Sequence, residues 1–347
     1  MKAAVYRRPG LLSVERVPVP VPADGEVLVR VARCGVCHTD VKKIQHDLQP
    51  APRIYGHEIS GTIAEIGPGV GAWSVGDRVA LLHHVPCGQC HYCRHGSSAQ
   101  CDSYRRTGTT AGFEAAGGGF SQFVLARDWI VRGGMVRLPV HVGMDEAALL
   151  EPLTTCAKAV SRLGTPAGSV VAVVGQGPIG LMLTALLKAC GCVVLAIEPD
   201  AVRRGISLAF GADAAFAPDD PDAADGASRA TDGRGADAAV VATADHEAIA
   251  LAMRLVRSGG RVLLFGSTQR ADPVRLDAGD VCVREIDVIG SYGSDIGRLG
   301  ETAELLFGRA SEWRRLVTHV LPLADVNSAI DLAAHRRDGS LKVLIAP

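Results

Sequence analysis

Ser169-Val170-Val171-Ala172-Val173-Val174-Gly175-Gln176-Gly177-Pro178-Ile179-Gly180 is the stretch on which the fold turns. An unbroken apolar run ending in glycines reads as a strand buried on both faces, the usual form of a strand in a parallel sheet. A helical stretch follows, and then Cys192 to Ile197 as a second strand, closed by the acidic Glu198. This is a βαβ unit. Gly175, Gly177 and Gly180, with Pro178 and Ile179 between them, permit a tight turn and close approach of the backbone to a pyrophosphate. The phosphate charge would sit at the helix N-terminus. Glu198 falls about twenty positions on, where a carboxylate accepts both ribose hydroxyls, which favours NAD over a cofactor with a 2′-phosphate. Arg203 and Arg204, just beyond it, keep NADP as the alternative.

Outward from this unit, strand-like runs at Ala238 to Ala242 and Arg261 to Phe265 alternate with helical segments such as His246 to Val256. The natural architecture is α/β, a doubly wound parallel sheet covered on both faces, and it is assigned to residues 153–293. Within it, Ala214 to Asp237 is rich in Ala, Asp and Gly and reads as solvated helix and loop. Upstream, Gly25 to Val31, Ile59 to Ile66 and Asp77 to Leu82 are short β-type runs separated by glycine, so residues 1–152 form a mostly β domain of antiparallel strands. The tail, 294–347, holds helical stretches and strands at Thr318 to Leu321 and Leu341 to Ile345. Periodicity does not say which domain owns it.

A chain of 347 residues is too long for one ordinary core. A net charge of −1, with both signs interspersed, leaves no electrostatic footprint for nucleic acid or an anionic membrane. The N-terminus reaches Pro9 without the apolar segment of a signal peptide, and the most apolar run, Leu181 to Ile197, is broken by Lys188 and Gly191. A cytoplasmic protein acting on a small molecule is the expectation.

Four of the ten cysteines cluster as Cys87-Gly-Gln-Cys90-His-Tyr-Cys93, followed by Cys101. Without an export signal, such spacing points to metal ligands, and an all-cysteine shell closes around one structural zinc ion. The lobe spans residues 85–103. A nucleic-acid zinc ribbon would use the same ligands, but only Arg94, Arg105 and Arg106 are near. The second constellation is dispersed: Cys37-His38-Thr39-Asp40, then Gly56-His57-Glu58, then Glu151. A thiolate, an imidazole and carboxylates from separate segments can make an open, catalytic zinc site. Taken singly, each is more often a core residue than a ligand.

With these motifs in their order, and Val75-Gly76-Asp77-Arg78-Val79 between them, the chain resembles the zinc-dependent medium-chain alcohol dehydrogenase family over nearly its whole length. The resemblance implies a GroES-like catalytic domain to which the tail 294–347 returns, a Rossmann domain, two zinc ions per chain, NAD, and a homodimer or homotetramer. Cys37 and His57 resemble the catalytic zinc ligands, and Glu58 the carboxylate that ligates or sits just behind the metal. Asp40 resembles the group that fixes the histidine tautomer, and Thr39 the hydroxyl that meets substrate oxygen. Thr155 falls near the nicotinamide, His38 and Lys342 where basic residues meet the pyrophosphate.

Two departures bear on the substrate. Glu151-Pro152 stands where several simple-alcohol members have a cysteine ligand, similar to the polyol, threonine and butanediol dehydrogenase branch. Lys42 stands where some members carry a relay histidine, with His46 nearby. His83, His84, Tyr55 and Glu114 are candidates for a polar pocket or for ordinary core positions. A polyol, sugar or amino alcohol is therefore the favoured substrate, giving a ketone or aldehyde. A simple primary or secondary alcohol is the alternative. A zinc-free reductase of the same fold and a non-enzymatic zinc-binding protein are the remaining readings.

Overall fold

Val170–Val174 is a strand with every residue buried. In the computed structural model, which describes residues 1–104, 108–112, 114, 117–266 and 273–347, it lies inside a parallel sheet. The strand order is Ala214–Phe216, Val193–Ile197, Val170–Val174, Ala236–Val241, Val256–Leu264, Asp287–Gly290. Counted along the chain, that is the order 3-2-1-4-5-6 of a dinucleotide-binding sheet. The order reverses between Val170–Val174 and Ala236–Val241, and the loop Gly175–Gly180 leaves the sheet at the carboxyl end of that reversal, where such sheets open a ligand crevice.

These strands belong to one of two compact units, Thr155–Gly293. One sequence expectation needs correction here. Ala214–Phe216 is the edge strand of the sheet, paired with Leu195–Ile197, and only Asp222–Arg229 beyond it is the expected surface helix. Alanine carries little strand signal, so register against a neighbour decides its conformation. Asp287–Gly290, unremarked in the sequence, forms the opposite edge.

The other unit is Met1–Thr154 together with Ser294–Pro347. Its eight-stranded sheet runs Val317–Pro322, Lys342–Ala346, Val27–Gly35, Glu58–Ile66, Arg78–Leu81, Met135–Arg137, with Phe123–Ala126 and Thr109–Thr110 added against Val27–Gly35. All pairs are antiparallel except Val317–Pro322 with Lys342–Ala346. The tail thus supplies two strands, and Leu344 pairs with Gly35 beside the site described below. A smaller sheet joins Leu11–Arg16, Lys2–Arg8 and Arg53–Ile54, and the core between the sheets includes Tyr6, Ile44, Ile59 and Phe120.

Candidate functional site

In the Met1–Thr154 unit, the strand Val27–Gly35 runs directly into the helix His38–Gln45, and Cys37 is the helix N-cap. Its sulfur accepts the Thr39 amide at 3.5 Å, while Asp40 reaches back to the Cys37 amide at 3.4 Å, closing a capping box. The other Asp40 oxygen lies 3.2 Å from Nδ1 of His57. One carboxylate therefore caps the helix and orients an imidazole, leaving Nε2 of His57 for another partner. Burial pulls the His57 pKa down, but the charges of Asp40 and Cys37 outweigh it and hold it well above the ordinary histidine value.

Two glycines make the cluster possible. At Gly35 an added Cβ would fall 1.8 Å from Oε2 of Glu58, so only hydrogen lets that carboxylate cross the strand. Gly56 has φ +95°, and a Cβ there would meet Phe120 at 2.6 Å and Cys34 Sγ at 2.7 Å. Donor atoms of Cys37, His57 and Glu58 come within 4.8 Å of one another. Lys342, expected at a pyrophosphate, instead directs its buried ammonium onto the Glu58 carboxylate. Its position at the start of the last strand decides this, since pairing of that strand with Gly35 brings Lys342 over Glu58. Burial would neutralise the lysine, yet Glu58 and Cys37 raise its pKa above the usual value.

Glu151 groups with His83 and His84 rather than with the Cys37 set. Its Oε1 is 3.2 Å from His84 Nδ1, and although burial opposes ionisation, His84 and the nearby His57 hold its pKa below the ordinary value. His83 packs edge-on against His57 at 5.1 Å between ring centroids. Thr39 and His38 are exposed on the first turn of the helix, Lys42 is half-buried on it, and His46 is its exposed C-cap. Tyr55 is buried, edge-on to Tyr6 at 5.6 Å, and its hydroxyl makes no hydrogen bond among the described residues. Burial pushes the Glu114 carboxyl up to about 7. Arg105 and Arg106 lie outside the described residues.

The four-cysteine lobe gathers its sulfurs within 4.8 Å of one another. Cys90 and Cys93 Sγ are 3.5 Å apart and Cys87 and Cys93 4.0 Å. Sulfurs about 2.3 Å from a tetrahedral zinc stand about 3.8 Å from each other, so the set fits one ion. Backbone amides also face the sulfurs: Cys90 N donates to Cys87 at 3.4 Å and Cys87 N to Cys101 at 3.3 Å. Amides of Gln89 and Cys90 lower the Cys87 pKa, whereas burial pushes Cys93 up to about 12.

In the Thr155–Gly293 unit, Gly177 is the N-cap of the helix Pro178–Ala189, with Pro178 at its first turn. Gly175 has φ +92°, and a Cβ at Gly180 would fall 1.8 Å from the Gly175 carbonyl. At Gly177 a Cβ would meet nothing within 4 Å, so the loop leaves room above the helix end for an anionic group. The buried Glu198 carboxylate accepts from Gln176 N at 2.7 Å and Asp200 N at 3.2 Å, tying the glycine loop to the next strand. Arg204 donates to the carbonyls of Glu198 and Pro199, and Arg203 is buried. Thr155 is half-buried at the start of this unit. Gln176 was passed over in the sequence: fully buried, it donates to Val173 O and accepts from Thr184, bracing the loop. A long amide between two glycines was the available signal.

A dinucleotide-type parallel sheet in one unit, and two cysteine-containing donor clusters in the other, define a metal-binding dehydrogenase class. Residues 23–140 match the alcohol dehydrogenase GroES-like domain and residues 178–308 the zinc-binding dehydrogenase family. The chain is 30% identical over 359 residues to a sorbitol dehydrogenase of Bacillus subtilis strain 168, covering 100% of this chain and 97% of the relative. It is 31% identical over 339 residues to an alcohol dehydrogenase of Geobacillus stearothermophilus, covering 95% of each. A crystal structure of a putative zinc-binding dehydrogenase from Sinorhizobium meliloti 1021 bound to NADP superposes with TM-score 0.88 at 28% identity, covering 100% of this chain and 99% of that one. The chain belongs to the zinc-dependent medium-chain alcohol dehydrogenase family and is an oxidoreductase.

Proposed function

We propose that the chain is an NAD-linked alcohol dehydrogenase with two zinc ions, acting on a polyol, sugar or amino alcohol. The donor cluster of Cys37, His57 and Glu58 carries this reading. Its thiolate, imidazole and carboxylate fit a zinc ion, with Glu151 joining directly or through water, while Cys87, Cys90, Cys93 and Cys101 hold a structural ion. Residues 1–152 and 294–347 then form the catalytic domain and 153–293 the NAD domain.

When bound, zinc supplies a Lewis acid that lowers the pKa of an alcohol hydroxyl, and nicotinamide accepts the hydride. Thr39 accepts the hydroxyl proton and passes it outward. Asp40 holds His57 in one tautomer. Gly175 to Gly180, with Pro178 and Ile179, presents backbone amides to the pyrophosphate, His38 supplies positive charge, Glu198 receives the ribose, and Thr155 packs near the nicotinamide. The balance is alcohol plus NAD giving ketone or aldehyde, NADH and a proton.

Glu198 supports NAD, and Arg204 directs one guanidinium nitrogen to the backbone carbonyls of Glu198 and Pro199. The Sinorhizobium meliloti neighbour was solved with NADP, so both cofactors belong in the test. For the substrate, the histidines around Glu151 support a polar pocket, and the sorbitol dehydrogenase relative agrees. The family resemblance supports a homodimer or homotetramer.

Absorbance of NADH, followed while the zinc-loaded protein and NAD meet polyols, sugars, amino alcohols and simple alcohols, tests the reading. Turnover of polyhydroxylated or amino substrates is expected. Turnover of simple alcohols alone would replace it with the narrower alcohol dehydrogenase reading, which the Geobacillus stearothermophilus relative favours.

A further inference from the structure

His83 is 9% exposed, and its Nδ1 makes no hydrogen bond among the described residues. A buried nitrogen without a partner calls for an explanation. His84 Nδ1 faces Glu151 at 3.2 Å, and one donor atom from each of His83, His84 and Glu151 lies within 4.8 Å of the other two. The side chains come from two places that the fold brings together: the segment after Arg78–Leu81, and the first turn of Leu150–Leu163. The set shares no residue with the group Cys37, His57 and Glu58, although Glu151 is also the carboxylate proposed to join the ion there, and it contains no cysteine.

We propose that His83, His84 and Glu151 form an additional cation site, which takes a divalent transition-metal ion, zinc first, when that ion exceeds the needs of the thiolate sites. Two imidazoles and a carboxylate suit zinc, copper, nickel and cobalt. Donors about 2.0–2.1 Å from a tetrahedral ion stand about 3.4 Å apart, a spacing that small side-chain rotations reach from the observed one. The ion takes up the Nδ1 lone pair of His83 that the protein leaves unused. Resting on the catalytic reading above, one consequence follows for turnover: an ion held here draws on Glu151 and stands against His57, so excess zinc inhibits in competition with the alcohol.

Cobalt(II) distinguishes the site from those containing cysteine, because thiolate ligands add an intense ultraviolet charge-transfer band and an imidazole–carboxylate set does not. Titration of the zinc-loaded full-length protein with cobalt(II) is expected to develop visible ligand-field absorption that saturates with one ion per chain, without the thiolate band. His83→Gln and His84→Gln, each checked for fold by circular dichroism, are both expected to weaken that ion at least about tenfold. A thiolate band alone, no absorption beyond free cobalt, or undiminished binding in both variants overturns the proposal. Failure of the catalytic reading shows elsewhere, as unchanged zinc content in a Cys37→Ala protein.

Discussion

Asp40 concentrates two demands on one side chain: one oxygen receives the Cys37 amide and so caps a helix, and the other aligns His57. Asp40→Asn keeps the shape but removes the charge, and a loss of about 10–100-fold in metal affinity or activity is expected; zinc content together with turnover measures it. Cys37→Ala and His57→Ala are expected to abolish turnover in a folded protein, and substantial activity in either would remove the catalytic assignment. Gly56 is held by backbone conformation as well as by space. Gly56→Ala is expected to cost about 1–3 kcal/mol from the unfavourable φ alone, read as a lower denaturation midpoint, with the approach of Phe120 and Cys34 adding to it. Glu114 gives a pH signature. Its folded pKa of about 7 lies above the unfolded 4.5, so its contribution to stability is fully present below 4.5 and is lost as pH rises through 7. Urea midpoints across that window are expected to flatten in Glu114→Gln; an unchanged pH profile would contradict the burial argument.

Among the elements, the cysteine lobe has little packing of its own at its helix. Its helix His91–Arg94 is a single turn without a buried residue, too short to persist without a cross-link. In the proposed reading a zinc ion on the four cysteines supplies that link. Cys90→Ser is therefore expected to lower the melting temperature and open residues 85–103 to proteolysis before turnover is affected. Equal resistance of the unmodified and Cys90→Ser proteins to protease would mean that the lobe is held by packing instead. The glycine loop shows the opposite design, since Gln176 and Glu198 brace it from both sides. Glu198→Ala is expected to raise the KM for NAD more than for NADP and also to loosen the loop. An unmodified enzyme that already prefers NADP would sink the ribose role given to Glu198.

For the whole molecule, the proposed function assigns the dinucleotide to the Thr155–Gly293 unit and zinc to the other. At a hundredfold excess of NAD over its Kd, linkage adds roughly 2.7 kcal/mol to the stability of the unit that binds it, seen as an upward shift of its melting transition. Failure of NAD to move any transition would count against the proposed role of the glycine loop. Sedimentation of the full chain at working concentration distinguishes a monomer from the proposed homodimer or homotetramer.

Period and spacing carry information about neighbours in the chain, and on that basis the βαβ unit with its glycine loop is legible from Val170–Gly180 and the four-cysteine cluster from Cys87–Cys101. Each depends on residues a few positions apart, whose geometry the local backbone decides. Strands without a compositional mark, Ala214–Phe216 and Asp287–Gly290, stay hidden because their partners choose them. The same limit governs the site. Cys37, His57 and Glu58 are recognisable as a type of donor set, but that Lys342 meets Glu58, and that Glu151 turns to His83 and His84, depends on strand register and on a helix start more than sixty residues away from the histidines. No one-dimensional pattern encodes those approaches, because they arise only when separate segments pack against a common core.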